Sequence, residues 1–163
     1  MKSLDVRCNG ISGDAAQQLA TAVLASPSLE IFGSVPLKEL RANTLDKLDL
    51  RGSDLGVPEA LVLAKLVEGS EVLTKLSLNE NDIGDEGAKA LASALRVNGV
   101  LKTLWLGRNF IRDEGAVAIA DALRVNEVLT ELWLRERDRR RGRRCAGLHS
   151  ARQQGAEIPR RAL

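Results

Sequence analysis

"LTKLSLNENDIGDEGAKALASALRVNGV" (residues 73–100) is the stretch on which the fold turns. Its two halves run on different periods. Leu76 and Leu78 alternate with Lys75 and Ser77, which puts the two leucines on one face of a short strand. From Gly84 onward the spacing lengthens, and Ala88, Leu91, Ala92 and Leu95 fall on one helical stripe. A strand, a turn and a helix are therefore expected within one short unit.

The unit recurs on both sides. "LDKLDLRGSDLG" starts at Leu45, "LKTLWLGRNFIR" at Leu101 and "LTELWLRERDRR" at Leu129, each 28 residues from its neighbour in the series. "LDVRCNGISG" near the N-terminus fits the same template through Leu4, Val6, Asn9 and Ile11. Residues 29–44, "LEIFGSVPLKELRANT", make an irregular repeat too brief for a full helix. A fixed period of this length marks a solenoid, in which no unit can bury its apolar face alone. Asn9, Asn81 and Asn109 stand where the chain leaves each strand, and Ser53 replaces asparagine in one copy. A buried amide there can donate to and accept from its own and neighbouring turns, so all three are assigned a structural role. Asp85 and Asp113 are expected to cap the helix starts, and Pro58 to occupy a first helical turn.

The shared pattern, L-x-x-L-x-L-x-x-N-x-I/L followed by a helical half, resembles the leucine-rich repeat of the ribonuclease-inhibitor-like type over about residues 1–134. That resemblance implies a short α/β solenoid with parallel strands on a concave face and helices on a convex one. It also implies a protein partner met on the concave face. Strand residues between the leucines point there, and Trp105 and Trp133 occupy the same repeat position one period apart. Strand neighbours lie about 4.8 Å apart, so the indoles should sit side by side as an exposed anchor. Around them the candidate partner-binding residues are Lys75, Ser77, Lys102, Thr103, Glu131, Arg108 and Asp49. The alternative for the tryptophans is that the rings simply pack on each other.

Other functional classes find less support. His149, the only histidine, lies in no cluster with metal-ligand spacing, and no serine or cysteine is paired with a base. "GDEG" at a helix start lacks the glycine spacing and lysine of a phosphate loop. No enzyme, cofactor, metal site or small-molecule substrate is expected. Cys8 and Cys145 stand far apart, which suits a reducing compartment; no secretory leader or membrane span is legible, so the cytoplasm is the expected location. Because similar repeats build Ran GTPase-activating protein and the sensing arrays of NOD-like receptors, a regulatory repeat region is the alternative reading. In either case the chain reads as a fragment of a longer array.

The charge is divided. Residues 1–134 carry 14 Lys/Arg against 19 Asp/Glu, whereas residues 135–163 carry 10 against 3. Such a basic tail could contact nucleic acid, but it has no aromatic side chain to stack on bases, so binding would be nonspecific. A different origin fits better. Arg137 to Gly142 can be encoded so that a one-base shift reads Ala-Ile-Gly-Asp-Glu-Gly, close to the "DIGDEG" of the unit from Leu73. Gln153 to Pro159, shifted likewise, can read Asn-Lys-Val-Leu-Lys-Ser-Leu, against Asn98-Gly99-Val100-Leu101-Lys102-Thr103-Leu104. Residues 135–163 are thus expected to be an out-of-frame reading of a further repeat, non-native and disordered; the nucleotides around codon 135 decide it.

Overall fold

A computed structural model of the chain describes residues 1–135. The basic tail and the frame-shift expectation lie outside the described residues, apart from Arg135. Twelve elements follow one another in it: β1 (Ser3–Leu4), α1 (Gly13–Ala25), β2 (Ile31–Phe32), β3 (Val35–Pro36), α2 (Leu37–Arg41), β4 (Lys47–Asp49), α3 (Val57–Glu68), β5 (Lys75–Ser77), α4 (Gly84–Val97), β6 (Thr103–Trp105), α5 (Asp113–Leu123) and β7 (Glu131–Trp133).

The repeat period becomes the sheet register. Strands β4, β5, β6 and β7 pair in parallel with Leu48, Leu76, Leu104 and Leu132 side by side. Leu76 and Leu104 are fully buried, as are Leu73, Leu78 and Ile83. Each such side chain contributes roughly 1.5–3 kcal/mol by leaving water. Helices α3, α4 and α5 cover the other side of these leucines through Val62, Ala88, Leu91, Leu95, Ile119 and Ala122. Glycine sets how closely the helices lie: a Cβ on Gly87 would stand 2.7 Å from that of Ala60. Strands spaced about 4.8 Å apart and helices about 8–10 Å apart cannot stack straight, so the ribbon curves with its sheet inside.

Two rows of asparagine tie turn to turn. Asn81 Oδ1 accepts from the Ser53 and Leu55 N–H groups, while its Nδ2 donates to the Leu50 and Leu78 carbonyls. Asn109 Nδ2 donates in the same way to Leu78 and Leu106. Asn9 departs from the expected buried role: it is exposed, and Nδ2 reaches only its own turn, at the Val6 and Arg7 carbonyls. No strand stacks on the outer side of β1 among the described residues, so its amide has no second turn to serve.

The second row was not anticipated as a structural device. Asn98 and Asn126, also 28 residues apart, lie buried beyond the helix ends. Asn98 Nδ2 donates to the Val67 carbonyl, and its Oδ1 accepts from the Val100 and Leu101 N–H groups. Asn126 repeats this on Leu95, Val128 and Leu129.

The irregular segment interrupts the ladder. Strands β1, β2 and β3 form a separate sheet, with β2 and β3 an antiparallel hairpin, and α2 is only five residues long. At this seam Arg7 ties the first unit to the next two, donating from Nη1 to the Ser53 carbonyl and the Ser34 hydroxyl. Its Nε and Nη2 hold Asp5, which keeps that carboxyl down at about 2.

Glu59, in the first turn of α3, lies buried beside this seam. Oε2 accepts from the Gly56 N–H, whereas Oε1 has no donor among the described residues. Burial pushes its pKa up; backbone N–H groups and Arg7 pull it down, and Asp5 adds to the rise. A carboxyl raised in the folded state binds protons more tightly there than in the unfolded chain. Its contribution to stability is therefore full at low pH and declines as pH rises from the unfolded value of about 4.5 through the folded one. Thermal midpoints measured across that window should fall less in Glu59→Gln than in the parent; equal slopes would show that Glu59 is not responsible.

Candidate functional site

The concave face is a grid of side chains fixed by the register. One row runs Lys47, Lys75, Thr103, Glu131; the next runs Asp49, Ser77, Trp105, Trp133. Alternation along each strand sends these outward while the leucines between them turn to the helices.

The tryptophans are neighbours, as their spacing predicts, but neither is a bare ring: both are half-buried. The Lys75 ammonium stands over the Trp105 ring, 3.7 Å from its centroid. Trp105 Nε1–H donates to Glu131 Oε1 at 3.0 Å, and the Thr103 hydroxyl lies 3.5 Å from Glu131 Oε2. Lys75, Trp105, Glu131 and Thr103 thus form one connected group across three strands. A cation on an indole face contributes about 0.5–1 kcal/mol at an accessible site, enough to bias the ring's orientation.

The remaining candidates are placed differently. Ser77 does not reach the surface: only 1% of it is exposed, directly beside Trp105, and its hydroxyl has no hydrogen-bond partner among the described residues. A small side chain flanked in the sheet by a large ring is covered by it, so Ser77 is withdrawn from the contact surface. Asp49 accepts from the Arg51 N–H and Arg108 pairs with Glu80 on the rim at 2.8 Å, while Lys102 is exposed.

The acidic residue at the start of α4 acts one unit further along than expected. Asp85 makes no cap on its own helix α4; its Oδ1 accepts from the Arg112 and Gly115 N–H groups at the start of α5. Asp113 is exposed and α5 shows no side-chain cap of its own. The repeat explains this: the carboxylate serves the next turn, where orphan N–H groups meet a favourable charge. Asp85→Ala is expected to cost about 1 kcal/mol in chemical unfolding and Asp113→Ala a few tenths at most. Equal losses would contradict the inter-repeat cap.

A family model described as "Leucine Rich repeat" matches residues 1–20, 69–92 and 97–120. These intervals fall on the strand–helix units just described, and the fold is decided. The chain folds as a leucine-rich-repeat solenoid. Among solved structures, this leucine-rich-repeat chain is similar to "Leiomodin-1 Actin-Binding Site 2 (ABS2)", with 26% identity and a TM-score of 0.61 over 68% of this chain. The match covers 65% of that protein's chain, so the solenoid spans somewhat under two thirds of its length. No curated protein matches the sequence. Among the described residues no group of three His, Cys, Asp or Glu side chains converges to hold a metal, and no helix is long and apolar enough to cross a membrane.

Proposed function

We propose that this leucine-rich-repeat chain is a protein-interaction module whose partner docks on the concave sheet, with Trp105 and Trp133 at the centre of the contact. The observation that carries the proposal is the connected group of Lys75, Trp105 and Glu131 beside Trp133. Half-buried aromatic rings held in place by neighbours lose little side-chain entropy on binding, which is why such residues dominate interface energetics. The 28-residue unit fits the ribonuclease-inhibitor-like type, in a cytoplasmic setting and as part of a longer array. Non-enzymatic binding fits the site, which offers an aromatic and charged surface instead of convergent titratable groups.

Pull-down with the chain and with a Trp105→Ala, Trp133→Ala double variant tests this. The partner should be retained by the first and lost by the second. Equal recovery would remove the concave sheet from the interaction. Because the similar solved structure is named for actin binding, actin belongs among the proteins tested directly. A GTP-hydrolysis assay on a small GTPase separates the regulatory alternative from simple binding.

A further inference from the structure

The concave grid is electrically uneven. Lys47 and Lys75 stand directly opposite each other on adjacent parallel strands, an arrangement that disfavours folding when the charges are alike. The ion pairs of the described residues involve neither ammonium. The acids nearest in the grid are directed elsewhere: Asp49 accepts from the Arg51 N–H and Glu131 from Trp105 and Thr103. Meanwhile the Lys75 ammonium is held on the Trp105 ring, so its position is set before any partner arrives. Two lysines on adjacent strands, one of them oriented on an indole face and neither in an ion pair among the described residues, can receive an anion.

The aromatic pair lies in the adjoining row, displaced toward β7. Two strand spacings of about 4.8 Å, with a two-residue offset of about 6.7 Å along the strands, put the centre of the lysine pair roughly 12 Å from the centre of the tryptophan pair. That is about three to four residues of an extended chain crossing the strands obliquely.

We propose that Lys47 and Lys75 hold a carboxylate of the protein partner, and that the same partner segment seats an apolar side chain against Trp105 and Trp133. This deepens the concave-face reading and rests on it. The occupant is an acidic segment with an aromatic or large aliphatic residue about three to four positions from its acid. Charge sets the orientation in which such a segment lies, since Glu131 at the far end of the lysine row repels a second acid.

Selecting phage-displayed random peptides on the full chain tests the proposal. Enriched peptides should pair an Asp or Glu with a Trp, Phe or Leu at that spacing. Synthetic copies should lose at least about tenfold in affinity for a Lys47→Glu, Lys75→Glu double variant and for Trp105→Ala. Selection on the charge-reversed variant should replace the acid by Lys or Arg. Thermal melts of each variant confirm that the fold is kept; if the double reversal unfolds the chain, Lys75→Gln alone supplies the comparison. Peptides that depend on Trp105 but show no acidic preference would overturn the carboxylate site and leave the concave reading standing. A selection yielding no peptide sensitive to either change would contradict both.

Discussion

Asn81→Ala should destabilise the chain by about 3–5 kcal/mol, whereas Asn9→Ala, at the same repeat position, should cost under about 1 kcal/mol. The difference follows from what each amide does. Asn81 satisfies two N–H groups of the preceding turn and carbonyls on both turns, in a place that water does not reach. Removing it leaves several buried backbone groups unpaired at once, each costing roughly 1–3 kcal/mol. Asn9 is exposed and water can take over its two bonds. Chemical unfolding of both variants gives the comparison, and hydrogen exchange at Ser53 and Leu55 should quicken only in Asn81→Ala. Similar losses at the two positions would mean that the amides do not couple one repeat to the next.

Removing both indoles should weaken partner binding by at least about thirtyfold, or roughly 2 kcal/mol, while leaving the unfolding midpoint nearly unchanged. The rings are half-buried on the sheet surface, not part of the leucine core, so their loss opens no cavity. The single changes should not add. Trp105→Ala also releases the Lys75 ammonium and the Glu131 carboxylate, because the ring holds one by its face and the other by its N–H. Titration of the captured partner against single and double variants measures this coupling. Binding that survives the double change would place the interface elsewhere on the solenoid.

The ladder of leucines was legible because a solenoid is local: each side chain contacts its own unit or the next, so period alone sets the strand pairing of Leu48, Leu76, Leu104 and Leu132. What crosses from one unit to the next was harder to read. Asp85 looked like a cap for the helix it begins, yet its carboxylate meets the helix one repeat on, a relation that only stacking creates. Asn98 and Asn126 stood in plain view in two copies of "RVN", and their 28-residue spacing was the signal that they form a second buried row. At the site, alternation placed Trp105 and Trp133 together but said nothing of their cover. Ser77 looked available by strand parity, and only the ring beside it takes it out of reach. Lys47 is one of the strand residues between leucines and not among the candidate contacts; its significance appears once the register sets it against Lys75 on the neighbouring strand.

The central claim is that stacked strand–helix units present one concave sheet to a protein partner. Hydroxyl-radical footprinting of the chain, alone and with the partner recovered by pull-down, tests it most directly. Trp105 and Trp133 should oxidise in the free chain and become protected in the complex, while Val97 and Val117 on the helical side stay unchanged. Protection confined to the helices, or indoles that never react, would contradict the account.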